Sequence, residues 1–222
     1  MKVAFDEKDG TVRYLVSDFE EKYERLLETC FYEKTNEGYA KRYPAKSKYL
    51  DRMMRRYSEF AHLMFDQLCY FAAVPWEKGL DEFCALLAGS GVDWWLTGSC
   101  AACVRGVPLR PRDIDVIVDS SDVPALTELL KDALIEPIAD TNGWLTKDFG
   151  AVFLHCRIKI ASDPSPALDS PEPADCGPHA RSLLETVHWR GHALKVPPLE
   201  LQIGVNRARG RFQRRFLERI HA

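Results

Sequence analysis

No stretch of this chain approaches the roughly 20 consecutive apolar residues that a membrane-spanning helix needs, and Asp6 and Glu7 stand where a secretory signal would carry its apolar segment. Both absences predict a soluble, cytoplasmic protein with no membrane partner. A dominant charge is also missing: 30 Lys and Arg face 33 Asp and Glu, a formal net charge of −3 with a pI near 6.1. That balance excludes a uniformly basic nucleic-acid binder and leaves only local patches to argue from. The seven cysteines are odd in number and scattered through apolar segments, which suits a reducing compartment rather than a disulfide framework. Cys100 and Cys103 form one Cys-x-x-Cys pair, but no second pair or compact histidine motif accompanies it. Two thiols facing the core from one helix are therefore favoured over a zinc or redox site. Internal repeats and low-complexity tracts are absent as well.

What is present is a chain of 222 residues with 46% apolar content, enough to bury a real core and to form one domain with a sizeable appendage. The expected division is 1–76, a β-hairpin followed by helices, and 77–222, an α/β domain. Asp9-Gly10 between two short alternating segments is a hairpin turn signal. Apolar residues at helical spacing follow from Ser17, and again from Ser47 to about Ala73, where Pro75 ends the pattern. Basic residues and tyrosines alternate from Lys41 through Tyr43, Lys46, Lys48 and Tyr49 to Arg52, Arg55 and Arg56. Such a stretch can hold nucleic acid through phosphates and stacked bases, yet a solvated helix face accounts for it more simply. Beyond residue 77 the pattern predicts a helix over 80–87, a strand over 92–96, a short helix after Gly98-Ser99, a strand over 114–118 and a helix over 123–134. Strands near 144–147 and 152–160 follow, then an exposed proline-rich loop over 163–178, a hairpin at Arg190-Gly191 and two helices split near Gly210. His188 and His192 flank that hairpin and read as ordinary histidines rather than ligands.

Chemistry concentrates in two segments, Trp94-Trp95-Leu96-Thr97-Gly98-Ser99 and Arg112-Asp113-Ile114-Asp115-Val116-Ile117-Val118. Glycine lets backbone approach a ligand, and a helix starting there presents free N–H groups to an anion such as a triphosphate. Ser99 adds a hydroxyl. Asp113 and Asp115, two apart on a strand, project from one face with Cα atoms roughly 6.5 to 7 Å apart, so both carboxylates reach one hard cation. Side by side they repel, and a divalent ion removes the conflict.

A strand ending in Gly-Ser, a short helix and an Asp-x-Asp strand together resemble the nucleotidyltransferase fold of polymerase-β-like enzymes, antibiotic nucleotidyltransferases and bacterial toxin nucleotidyltransferases. The likeness spans 77–222 and is reinforced by the run from Val187 to Glu200, where small antibiotic-type members have a strand pair leading through proline into a helix. It implies an α+β domain with a mixed sheet flanked by helices, here with a mainly helical N-terminal appendage. It also implies transfer of a nucleoside monophosphate from a triphosphate to a hydroxyl or phosphate of a small molecule or RNA, with Mg2+ as cofactor. Asp113 and Asp115 would then be catalytic and hold metal, while Gly98, Ser99, Arg112, Lys159, Arg207 and Arg211 would bind nucleotide. Gly210-Arg211 matches a family Gly-Arg step, although Gln213-Arg214 replaces the Lys-Asp that relatives commonly carry.

One departure is chemical. The family places a third carboxylate on a neighbouring strand, and the strand expected here, Val152-Phe153-Leu154-His155-Cys156-Arg157-Ile158-Lys159-Ile160, has no acid. Asp148 and Asp163 flank it, and His155 or Lys159 is placed to fill the position instead. Two functions follow: a magnesium-dependent nucleotidyltransferase, or a catalytically degenerate relative that binds nucleotide or RNA in a regulatory role.

Overall fold

The computed structural model describes residues 1–202. Its centre is a five-stranded mixed sheet formed by β5 (Trp94–Thr97), β6 (Ile114–Val118), β7 (Leu134–Asp140), β8 (Asp148–Leu154) and β9 (Cys156–Ser162), in the order β5-β6-β9-β8-β7. The β6–β9 pair is parallel and the others antiparallel. Along β6, Ile114, Val116 and Val118 face one core with Cys156, Ile158 and Ile160 of β9, because successive side chains on a strand point to opposite sides. Into that core pack α3 (Trp76–Leu87), α4 (Gly98–Cys103) and α5 (Val123–Leu129), through Leu80, Phe83, Cys100 and Leu126 among others. Each such buried apolar side chain contributes about 1.5–3 kcal/mol. The alternation leaves Asp115, Arg157 and Lys159 on the opposite face, where the site develops.

That opposite face is partly covered by the N-terminal part of the chain. Here β1 (Lys2–Lys8), β2 (Thr11–Ser17), β3 (Glu33–Thr35) and β4 (Gly38–Pro44) form a second sheet, order β1-β2-β4-β3, beside α1 (Glu24–Thr29) and α2 (Leu50–Leu68). Tyr14, Tyr39, Tyr57 and Phe65 share a core with Ile135, Ala151 and Phe153 of the central sheet. The Asp9-Gly10 hairpin forms as expected. Between the hairpin and the long helix α2, residues 33–44 add two further strands that the sequence reading did not name. Much of the basic stretch has partners within the chain: Tyr43 is a core side chain, Lys41 pairs with Glu136, Arg42 with Glu33, Lys48 with Glu128 and Arg52 with Asp132. Those partners supply a structural reason for residues that could otherwise have suggested nucleic acid.

Three further expectations are corrected. The helix from residue 123 ends at Leu129, and β7 begins at Leu134. A strand thus exists where Pro137 and Glu136 broke the apolar pattern. The run expected as one strand over 152–160 is a hairpin, reversing at His155 (φ 59°) so that Leu154 pairs with Cys156. No glycine or proline marks this turn. Segment 144–147 contributes an isolated bridge, Thr146 to Pro164, rather than a strand. The chain continues through a loop with α6 (Pro178–Ser182) to the hairpin of β10 (Glu185–Trp189) and β11 (His192–Val196). There His192 contacts Asp81 at 2.8 Å. No helix among the described residues is long and apolar enough to cross a membrane.

Candidate active site

Asp115 lies within β6 and pairs across the parallel ladder with Lys159 of β9. Asp113 precedes the strand by one residue and shares that face. Lys159 Nζ is 2.7 Å from Asp115 Oδ1 and 3.1 Å from Asp113 Oδ2, so both carboxylates meet one cation. These side chains are only 17–26% exposed. Burial raises the Asp113 carboxyl, but Lys159, Arg157 and Arg112 outweigh it and hold it below the usual carboxylate range. Burial likewise opposes charge on Lys159, and Asp113 with Asp115 outweighs it, raising the amine above its ordinary value. Lys159 is therefore a firmly held ammonium at neutral pH and not a proton acceptor.

Neither flanking acid completes a carboxylate triad. Asp148 Oδ2 accepts from the Ser162 hydroxyl at 2.6 Å, and Asp163 Oδ1 accepts from the Ser120 N–H at 3.1 Å. His155 sits at the β8–β9 turn, 3.0 Å from Glu82. Lys159 stands where the third acid was expected, and no group of three or more His, Cys, Asp or Glu residues suited to a metal occurs among the described residues. Two carboxylates converging on one ammonium have the donor chemistry for a single hard divalent cation. They do not fit a pair of cations bridged by three acids. Cys100 and Cys103 are reduced, and each thiol points at a backbone carbonyl, of Asp113 and of Leu109 respectively.

Gly98 follows β5 with φ +67°, a left-handed conformation that strains any side chain and so selects glycine. Its N–H, expected to face phosphate, donates to Asp175 Oδ2 at 3.0 Å, while the Thr97 hydroxyl donates to the Asp175 carbonyl at 2.7 Å. A carboxylate from the proline-rich loop thus holds the position assigned to an anion. Sequence reading missed Asp175 because only tertiary folding brings position 175 to position 98. Ser99 follows it as the second residue of α4, partly exposed. Arg112 lies over the Tyr70 ring, 5.9 Å from its centroid. Arg207 and Arg211 lie outside the described residues.

Two cavities meet at the carboxylates. One, of about 170 Å³, is lined by Gly98, Asp115, Lys159, Trp144 and Phe149 among others. The second, of about 290 Å³, has Arg112, Asp113, Arg157, Lys159, Phe31 and Trp144 in its wall. Arg112 therefore belongs to the side away from Gly98. Residues 80–148 match the family model described as aminoglycoside-2''-adenylyltransferase. That match covers less than half of the chain, and it marks a likeness of this segment to nucleotidyltransferases. The matched span contains Gly98, Ser99, Arg112, Asp113 and Asp115 and stops before Lys159, so the nucleotidyltransferase likeness in sequence stops short of the substituted strand β9. Among solved structures, a candidate nucleotidyltransferase from Thermotoga maritima is similar with a TM-score of 0.49 at 19% identity, covering 67% of this chain and 93% of that one. Nothing matches among curated proteins.

Proposed function

We propose that this chain moves a nucleoside monophosphate from a nucleoside triphosphate to a hydroxyl or phosphate of a small molecule or RNA, using one magnesium ion held by Asp113 and Asp115. The observation that carries this reading is the convergence of both carboxylates on one cation, near the Gly98 N–H just past the end of the adjoining strand. Gly98 and Ser99 would receive phosphate after exchange of the Asp175 carboxylate, one anion for another. Magnesium, when bound, would neutralise charge on the departing pyrophosphate. Lys159, displaced from the carboxylates, remains a cation within reach of triphosphate oxygens, where an ammonium stabilises charge that grows in the transition state. Because its amine is raised, the acceptor proton must leave through solvent or a carboxylate rather than through Lys159.

Thermal stability with each of the four ribonucleoside triphosphates, with and without magnesium, tests the reading. The expected result is a magnesium-dependent rise in Tm that the Asp113→Ala, Asp115→Ala double variant loses. No rise with any triphosphate at saturation would overturn it. The position of Lys159 favours one second reading, a nucleotide binder without catalysis. That case would give a rise in Tm that does not require magnesium, and no release of pyrophosphate with any acceptor.

A further inference from the structure

We infer that the acceptor is nucleotide-like, an anionic phosphate attached to a flat ring, and not a polycationic amino sugar. This rests on the donor reading above, which puts the triphosphate on the Gly98 side of the carboxylates. The remaining cavity lies on the Asp113 side, between α1 and the loop after it and the central sheet. Its wall combines Arg112, Arg157 and Lys159 with a single carboxylate, Asp113, among the described residues. Asp113 is already engaged by Lys159 and is the proposed metal ligand. Arg157 is fixed in place by Glu136 behind it, at 3.1 Å. Arg112 makes no ion pair among the described residues, which leaves its guanidinium able to take a phosphate in a two-pronged contact.

An acceptor carrying several ammonium groups would enter this wall against like charge and would find no carboxylate to pair with, a costly arrangement in a partly buried cleft. An anion finds the reverse. The other half of the cavity is aromatic: Phe31 is 58% exposed and Trp144 44% exposed, and their rings meet edge to face with centroids 5.0 Å apart. Trp144 in turn meets Phe149 at 6.0 Å. Exposed rings beside a guanidinium with no ion pair among the described residues suit a base stacked on one side with its phosphate held on the other. The same chemistry occurs in a free nucleoside monophosphate and at the end of an RNA strand.

Direct binding separates the possibilities. Adenosine 5′-monophosphate, a short oligoribonucleotide and kanamycin are titrated into the full chain by calorimetry, with the donor side saturated by an α,β-methylene triphosphate and magnesium. Parent, Phe31→Ala and Arg112→Gln proteins are compared. The expected result is binding of the monophosphate or the oligonucleotide, no binding of kanamycin, and affinity at least roughly tenfold weaker in each variant, as loss of a stacked base or a phosphate contact entails. Preference for the monophosphate identifies a free nucleotide, and preference for the oligonucleotide a strand end. Kanamycin binding, or anion binding indifferent to both variants, overturns the inference. The donor reading fails separately, through the absence of any triphosphate-dependent rise in Tm, and the titrations can then be read without the analogue.

Discussion

Two ion clusters sit two residues apart along β9, and their contrast separates structure from chemistry. Arg157 belongs to one, with Glu136 and Lys41: a single acid between two cations, sealed so that Glu136 is 1% and Arg157 6% exposed. Lys159 belongs to the other, with Asp113 and Asp115: two acids around one cation, open to a cavity on either side. The first joins β4 of the N-terminal sheet to β7 and β9 of the central sheet; Arg157 borders the Asp113-side cavity, but Glu136 behind it holds its charge. The second retains an excess of carboxylate and can exchange its internal cation for another. Similar ion pairs therefore carry different functions according to access and to which sign is in surplus.

The largest expected effect breaks the open cluster. Asp113→Ala, Asp115→Ala should lower nucleotidyl transfer by about 10³- to 10⁴-fold, about 4–5.5 kcal/mol of transition-state stabilisation. Measured beside it, the urea midpoint should fall, because Lys159 loses both counter-ions, but the variant should stay folded in buffer. A double variant that retains transfer would remove the carboxylates from the mechanism.

Next comes the sealed cluster. Glu136→Ala leaves Arg157 and Lys41 with uncompensated buried charge and should cost about 3–5 kcal/mol in stability. Chemical denaturation reads it directly; a loss under about 1 kcal/mol would mean that water reaches Arg157. Acid provides an independent check. Burial pushes the Glu136 carboxyl up, but Arg157 and Lys41 outweigh it and pull it down to about 2, from an ordinary 4.5. A depressed value stabilises the fold above the ordinary one, so the contribution is complete above about pH 4.5 and is lost as pH falls toward 2. On the order of 3 kcal/mol is at stake. Glu136→Gln should flatten the stability profile across that window, and a profile as steep as the parent's would assign acid lability elsewhere. Lys159 runs the other way: its raised value stabilises the fold at and below its ordinary 10.5, and that contribution fades only in stronger base.

The open cluster was legible in sequence and the sealed one was not. Asp113 and Asp115 stand just before and within a strand whose period-2 pattern fixes their common face, and Gly98 follows an apolar run that ends where a turn must. Such features are local. Glu136, by contrast, interrupts an apolar strand beside Pro137, and its burial makes sense only once Lys41, 95 positions earlier, is beside it. For the same reason β7 escaped notice. The β8–β9 reversal was hidden because His155 adopts φ 59° without the residues that usually announce a turn. Asp175 carried no signal at all, since a proline-rich loop gives no register from which to place it against Gly98. Lys159 was visible, beside His155, as one of two residues placed to fill the third-acid position, but its contact with both aspartates required the parallel pairing of β6 with β9.

The smallest expected effect sharpens the comparison most, because it asks whether one cation can replace another. Lys159→Met leaves Asp113 and Asp115 facing each other without a counter-ion, at a cost of about 1–3 kcal/mol in metal-free buffer. A divalent cation can enter this cluster, and at a hundredfold excess over its Kd it would return about 2.7 kcal/mol. The variant should thus gain more in Tm from magnesium than the parent, whose own ammonium competes for the same oxygens. Lys41→Met makes the matched change in the sealed cluster, where Glu136 is 1% exposed and keeps Arg157 as its counter-ion, so magnesium should leave its Tm unchanged. Equal responses from the two variants would show that access does not distinguish the clusters. No response from Lys159→Met would show that the aspartates hold a lysine and nothing else.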